Sequence, residues 1–159
     1  MLALWARFSV NSGRDLTQVN LGLPGAVVSD MIEIMRSGAR LRSLEVEWRK
    51  TPLATVRKFD LPEEWGRRYE VYDSARRELL SVAGVVAGSP AAELLRTGDV
   101  LLAIDGQPTN EFRDVELAMQ ADAVELTILR DGTELSLRVP TVELDGFGVD
   151  RVVLWGGAL

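Results

Sequence analysis

The stretch from Leu80 to Pro108 constrains the fold of this chain more than any other part of its 159 residues. It begins with an apolar, partly β-branched run that predicts a buried strand from Val82 to Val86. Ser89 and Pro90 follow, and they suit the cap and the first position of a short helix. A serine side chain accepts a hydrogen bond from a free backbone N–H there, and proline has no N–H that needs a partner. A strand followed by a short helix is therefore predicted.

The second half of this stretch predicts another strand between two turns. Gly98 can adopt a left-handed conformation after the helix, Val100 to Ile104 is uniformly apolar, and Asp105-Gly106 is a typical turn pair. The run GSPAAELLRTGDVLLAIDG resembles the centre of a PDZ domain of the bacterial protease-associated type. The resemblance implies an α+β, mainly β fold: a PDZ-like, partly open β-barrel of about five or six strands with two or more helices, preceded by a β-hairpin and a linker helix.

The N-terminal part is similar to the junction between a protease barrel and such a domain. In proteases of the high-temperature-requirement (HtrA) family, the last barrel strands end near a proline, and a helix, a glycine and a linker lead to the PDZ domain. The segment Asn20 to Pro24, a predicted helix from Ala26 to Arg36 with a broad buried stripe, and Gly38 follow that order. Before them, Leu2 to Val10 and Thr17 to Leu23 predict two strands.

The resemblance implies four segments along the chain. Residues 1–24 are expected to be the terminal strands of a trypsin-like barrel, 25–43 a linker helix, 44–141 the PDZ domain and 142–159 the start of a following segment. Within the last segment, Val152 to Trp155 predicts a further strand. The catalytic Ser, His and Asp of the family lie upstream of such a tail, so the resemblance assigns no catalytic residue here.

Local patterns predict two more elements in the middle of the chain. Thr51-Pro52 is expected to begin a helix, with Thr51 as its cap. The inward residues of that helix would be Leu53, Val56 and Phe59. Arg67 to Tyr72 is expected to pair as a strand with Leu79 to Val86 around Asp73 to Glu78. Many PDZ domains of the family that the chain resembles are shorter here, so Arg67 to Glu78 is expected to be an insertion of unknown role.

The C-terminal half predicts a helix and a hairpin. Asn110 is expected to cap a helix from Glu111 to Gln120 through its side chain. Val124 to Arg130 and Thr133 to Val139 alternate in period two about Asp131-Gly132, which is a strong hairpin signal.

Two absences limit the chemistry that this chain performs. It has no cysteine and no histidine, which excludes disulfides and a Ser-His-Asp triad. We therefore expect a non-catalytic chain without a metal or another cofactor. The formal net charge of −6 argues against a nucleic-acid partner. No apolar run reaches the roughly 20 residues with which a helix crosses a bilayer, so no membrane span is expected.

The resemblance also implies where a ligand binds. A PDZ domain takes an extended peptide as an added strand between one β-strand and one helix. The expected carboxylate loop and groove strand are Ser43, Leu44, Glu45, Val46, Glu47 and Trp48, and the expected groove helix contributes Phe112, Val115, Ala118 and Met119. The family has glycine between two hydrophobic residues of the loop, because backbone N–H groups must converge on the terminal carboxylate of the peptide. This chain has the acidic Glu45 at that place.

Two functions stay open at this level. The first is a regulatory peptide-binding module of an HtrA-like serine protease in protein quality control, which recognises C-termini or unfolded polypeptide and acts on an adjacent protease domain. The second is a structural or assembly segment whose groove is closed or self-occupied and which mediates oligomer or interdomain contacts, because an apolar helical stripe is also typical of a core-filling helix. A location in the cell envelope or periplasm follows from the family resemblance alone.

Overall fold

The computed structural model describes residues 3–12 and 15–144, with side chains from Pro24 onward, and the chain divides into two compact units, 1–41 and 42–159. Unit 1 is an antiparallel hairpin followed by a helix. Strand β1 (Ala3–Ser12) pairs with β2 (Asp15–Pro24), and α1 (Gly25–Arg36) follows at once. Both strands are longer than predicted, and their order confirms the expected hairpin and linker helix.

Helix α1 does not have the buried stripe that its sequence predicts. None of its residues is buried, and Ile32 and Met35 are 38% and 55% exposed. Periodic apolar residues indicate a helix with one apolar face, but they do not say that another part of the chain covers that face. The prediction of the helix is confirmed, and the prediction of its burial is wrong.

Unit 2 is built on an open antiparallel sheet of five strands. Their order across the sheet follows the chain: β4 (Val46–Pro52), β5 (Glu78–Val85), β6 (Val100–Ile104), β7 (Ala123–Arg130) and β8 (Thr133–Pro140). A short pair, β3 (Arg42–Ser43) with β9 (Val142–Glu143), brings together the two ends of the described part of unit 2. The sheet does not close, which confirms the predicted partly open α+β fold.

The described part of unit 2, residues 42–144, has four helices: α2 (Leu53–Val56), which runs into a 3₁₀ turn at Arg57–Phe59, α3 (Glu63–Tyr72), α4 (Pro90–Leu94) and α5 (Phe112–Ala118). They cover both faces of the sheet. Every residue of β6 is therefore buried. No helix in the described part of the chain is both long and apolar enough to cross a membrane.

The predicted turns and one predicted cap are confirmed. Asp131 and Gly132 have φ angles of 49° and 75°, the left-handed pair that matches the twist of a two-residue hairpin, and they join β7 to β8. The same geometry occurs at Asp105-Gly106. At the start of α4, the Ala92 N–H donates to the Ser89 hydroxyl at 3.2 Å. These features depend on neighbouring residues only, and a local pattern is therefore enough to predict them.

The strand predicted from Arg67 to Tyr72 is wrong, because these residues form most of α3. Trp65 and Tyr69 stand four residues apart and are both buried against the sheet. The Tyr69 hydroxyl lies 2.9 Å from the Leu102 carbonyl oxygen and 3.0 Å from that of Thr109. The helical spacing of buried aromatic residues decides the structure here, and the alternation of polar and apolar residues between Arg67 and Tyr72 does not.

The helix predicted to start at Thr51-Pro52 begins later. Strand β4 continues through both residues, and the Thr51 hydroxyl lies 2.6 Å from the Ser81 hydroxyl on β5 instead of capping a helix. Leu53 and Val56 are buried as predicted. Phe59 is 57% exposed, contrary to the prediction, because the chain ends its helical turn there and Asp60 takes a left-handed φ of 55°.

Two apolar clusters lie on the two faces of the sheet. The cluster under α5 includes Leu44, Leu80, Leu101, Leu126 and Val115. The cluster under α2 and α3 contains the residues Leu53, Val56, Trp65, Tyr69, Leu79, Val100, Leu102, Ala103 and Leu129. The strand predicted at Val152–Trp155 lies outside the described residues.

Candidate functional site

The loop before β4 has the backbone geometry of a glycine but carries a carboxylate. Glu45 has a φ of 56°, the left-handed region that costs an L-residue about 1–2 kcal/mol and costs glycine little. Its N–H donates to the Ser43 hydroxyl at 2.9 Å, and its carbonyl accepts from the Val86 N–H at 2.9 Å. These two bonds fix the turn, so the backbone follows the pattern that the family resemblance implies for this loop.

The predicted groove strand starts two residues later than the sequence indicated. Leu44 lies between β3 and β4 and is buried to 1% exposure in the core, and Glu45 forms the turn, so only Val46 onward is strand. Val46 and Trp48 pack partly buried against the cluster under α5, while Glu47 is exposed. Within the described residues β4 pairs with β5 alone, which leaves its other edge free.

The groove helix α5 is shorter than predicted and is not capped by Asn110. The Asn110 side-chain amide donates to the Asp73 carboxylate at 2.9 Å and to the Glu78 carbonyl at 3.0 Å, and these two bonds hold the side chain toward Asp73 and Glu78. Glu111 takes the cap position without a side-chain bond. The prediction failed because a distant part of the chain uses the amide.

The orientation of α5 follows from three neighbours. Val115 and Met119 are 2% and 7% exposed and point into the core. Burial, and then the negative charges of Asp114, Glu111 and Asp73, raises the pKa of Tyr72 at the end of α3. The Phe112 ring, by contrast, lies 5.6 Å below the ammonium of Lys50 on β4.

A helix turns by about 100° per residue, so Phe112, Glu116 and Met119 share the flank of α5 that faces β4. Ala118 lies on the opposite flank, with Asp114. Of the four expected groove-helix residues, only Phe112 lies exposed on the flank that faces β4. Met119 is on the same flank but buried in the core cluster, Val115 is also buried there, and Ala118 packs partly buried against that cluster.

Glu116 is a groove residue that the sequence analysis missed. It is partly buried, and burial raises the pKa of its carboxyl group. An apolar stripe does not include a glutamate, but the spacing of Glu116 from Phe112 and Met119 in the sequence already puts the three residues on one side of a helix. An acidic side chain thus stands in the wall opposite β4.

Both ends of α5 are tied to the strands beside it. At its start, the Lys50 ammonium donates to the Asn110 carbonyl and pairs with the Glu111 carboxylate at 3.1 Å. At its end, the Gln120 side-chain amide pairs with the Arg42 backbone, accepting from its N–H at 3.0 Å and donating to its carbonyl at 3.1 Å. Side-chain bonds thus link the start of α5 to β4 and the residue just beyond its end to β3.

The loop end of this groove is acidic. Within unit 2, Arg42 is the cationic residue nearest to Glu45 in the sequence. Its guanidinium donates to Thr141 and pairs with Glu143 at 3.0 Å and with Asp122 at 3.4 Å. Arg42 therefore does not neutralise the charge of Glu45. The described residues contain no cluster of three or more acidic, His or Cys side chains placed to hold a metal.

Comparison with known proteins places this geometry in a class. A family model described as PDZ domain matches residues 81–130. The chain is 34% identical to Protease Do-like 7 of Arabidopsis thaliana over 99% of its length, which is 17% of that relative. The chain thus spans about one sixth of the length of the curated relatives that it matches.

Two solved structures share the fold. An HtrA-type protease AlgW variant, solved with a decapeptide, matches with a TM-score of 0.53 and 21% identity, over 88% of this chain and 41% of that one. The HtrA3 PDZ domain bound to a phage-derived ligand matches with a TM-score of 0.50 and 18% identity, over 70% of this chain and 96% of that one. Together with the five-stranded sheet and α5, these matches define unit 2 as a PDZ domain. More particularly, it is a PDZ domain of the HtrA-like protease type.

Proposed function

We propose that unit 2 binds extended polypeptide by adding a strand to the free edge of β4. The observation that carries this proposal is the unpaired edge of β4 opposite the α5 flank formed by Phe112, Glu116 and Met119. In strand addition the main chain supplies affinity and register, and pockets beside the strand select side chains. The peptide ligands named for the HtrA-type relatives support the same use of this groove here.

The charge of the groove favours internal, basic segments over free C-termini. Glu45 in the loop and Glu116 on the α5 flank are both acidic. A terminal carboxylate bound in the loop would stand close to Glu45, and two like charges about 4 Å apart near a protein surface repel by roughly 1–4 kcal/mol. A lysine or arginine side chain beside Glu116 would instead gain an ion pair. We therefore propose unfolded segments that contain basic residues as the ligand class.

The test compares labelled decapeptides that differ only in having a free or an amidated C-terminus, by fluorescence anisotropy. Wild-type protein is expected to bind the amidated forms at least as tightly as the free acids. Glu45→Gly removes the charge and keeps the left-handed turn. It should therefore increase the affinity for the free-acid peptides by about five- to ten-fold and leave the affinity for the amidated peptides unchanged. Asp60→Gly is the matched control, because it also replaces an acidic residue at positive φ, outside the groove.

Two results would contradict the proposal. If peptide binding shifts the backbone amide resonances of β8 but not those of Val46 to Lys50, the added strand is not at β4. If Glu45→Gly and Asp60→Gly change the free-acid affinities equally, the loop does not contact the end of the peptide.

We propose further that this module serves a protease domain elsewhere in a longer polypeptide, to which it would present bound segments. The similarity to Protease Do-like 7 supports this coupling. The 159 residues contain no histidine, so the Ser-His-Asp chemistry would lie outside them.

An assembly role is the second candidate, and one contact favours it. Lys50 spans from β4 to Glu111 and the Phe112 ring, and its side chain narrows that end of the groove. The assembly role would be favoured if no peptide bound and if the molecular mass of the protein in solution rose with its concentration.

A further inference from the structure

A cavity of about 630 Å³ lies on the face of the sheet opposite α5. Successive side chains of a strand point to opposite faces. Lys50 reaches α5, and its neighbours Arg49 and Thr51 therefore point the other way, into this cavity. The volume falls within the roughly 300–1,000 Å³ of small-molecule sites. The cavity is thus separate from the peptide groove and large enough for a ligand of its own.

The lining carries two cations without partners. Arg130 is neutralised by Asp99, at 2.6 Å, and Arg49 donates to the Ser81 hydroxyl at 3.2 Å. The Lys58 ammonium and the Arg96 guanidinium make no hydrogen bond or ion pair with any described residue.

The acidic residues of the lining do not cancel these cations. Beyond the neutralised Arg130 and Asp99, the lining contains three cations, Arg49, Lys58 and Arg96, against two carboxylates, Asp60 and Asp131. The cavity thus has a positive excess in a chain whose formal net charge is −6. The ligand that this charge complements is an anion.

The walls between the charges are largely hydrocarbon. Phe59 lines the cavity with 57% of its surface exposed, and the floor includes the buried residues Val100 and Leu129. An exposed aromatic ring beside a concave site offers a surface on which an apolar or aromatic body stacks. The ligand would bring such a body together with its negative charge.

We propose that this cavity binds a small organic phosphate, with its anionic group near Lys58 and Arg96 and an apolar or aromatic body against Phe59. A phosphate monoester carries nearly two negative charges at neutral pH and so matches the two unpartnered cations. Arg49 and the hydroxyl groups of Thr51 and Ser81 add hydrogen-bonding capacity inside the cavity.

The test is a titration of the full chain with phenyl phosphate, followed by amide chemical shifts. Saturable shifts are expected at Gly98 and Gly132, which line the cavity, and not at Val46 in the peptide groove. The double variant Lys58→Gln, Arg96→Gln should weaken binding about five- to ten-fold, since it removes two exposed charge contacts with the anion. Arg138→Gln, an exposed cation on β8 away from the cavity, should change nothing.

Inorganic phosphate and benzyl alcohol test the anionic group and the aromatic group of the ligand one at a time. Phe59→Ala should weaken the binding of phenyl phosphate and leave the binding of inorganic phosphate unchanged. Benzyl alcohol, which is neutral, should bind to the wild-type protein more weakly than either anion. Equal affinity of wild type and the double variant would overturn the anion site. Equal affinity for phenyl phosphate and inorganic phosphate would show that no apolar or aromatic group of the ligand packs against Phe59.

Discussion

Asp99 is a charged side chain that the core buries almost completely. Its carboxylate accepts from Arg130 at 2.6 and 2.7 Å and from the Arg96 backbone N–H at 2.8 Å. In the sequence, Gly98-Asp99 directly before β6 is a pair common in turns, and this local pattern does not indicate a buried charge. Its partner is 31 positions away, on β7, and no local pattern predicts such a pair.

We predict that Asp99→Ala destabilises the fold by about 2–3 kcal/mol. The substitution leaves the partly buried Arg130 charge without its ion-pair partner. Because 18% of the Arg130 side chain is exposed to solvent, the loss in free energy of unfolding should be smaller than for a fully buried pair. Urea unfolding should show a lower midpoint with an unchanged slope.

Glu63→Ala is the control for this prediction, because it breaks an ion pair with Arg67 whose side chains are 81% and 67% exposed. Its effect should stay within about 0.5 kcal/mol. Equal losses in the two variants would show that burial does not strengthen the Asp99 pair.

At the scale of elements, α3 is anchored to the sheet by one buried phenol. The Tyr69 hydroxyl contacts the carbonyls of Leu102 and Thr109 and accepts from the Thr109 N–H at 3.2 Å. Burial, opposed in part by the Thr109 backbone bond, raises the pKa of Tyr69 well above its usual range.

This shift predicts a loss of stability in alkali. Because the folded pKa is raised, Tyr69 keeps its proton while the unfolded chain loses it above about pH 10, so its stabilising contribution is complete below pH 10 and falls as the pH rises beyond it. The expected slope is about −1.4 kcal/mol per pH unit from this group.

Tyr69→Phe should remove that slope between pH 10 and 11 in urea titrations, and it should cost about 1–3 kcal/mol at neutral pH because the carbonyls lose their donor. Tyr72→Phe, at a more exposed position on the same helix, should keep most of the slope. A slope that persists in Tyr69→Phe would contradict the assignment to this phenol.

The elements that the sequence predicted correctly are those with local causes. The β7–β8 hairpin depends on Asp131-Gly132, and α4 depends on Ser89 and Pro90. Helix α3 was missed because Arg67 to Tyr72 alternates over a few residues, although Pro62 followed by two glutamates is typical of a helix start.

The groove was predicted only in part, for the same physical reason. Which edge of β4 stays free, and which flank of α5 faces it, depends on contacts such as Lys50 with Phe112 that join residues far apart in the sequence. A stripe of apolar residues could not separate Val115, which fills the core, from Phe112, which lines the groove.

At the scale of the whole molecule, the described part of unit 2 has a core of its own. Both apolar clusters lie between Leu44 and Val139, and β3 pairs with β9 at its two ends. We predict that residues 42–144 alone retain the hydrogen-exchange protection of β6 within about 0.5 kcal/mol of the full chain. A loss of more than tenfold in protection would show that residues outside 42–144 contribute to this core.

The two side-chain ties at the ends of α5 also bear on the speed of binding. Lys50 and Gln120 set the spacing between helix and strand before any ligand arrives. The groove then needs no opening step before a peptide associates. Association rates of different peptides should therefore be similar, and differences in affinity should come from their dissociation rates. Loosening one tie, as in Gln120→Ala, would slow capture without touching a residue that contacts the ligand.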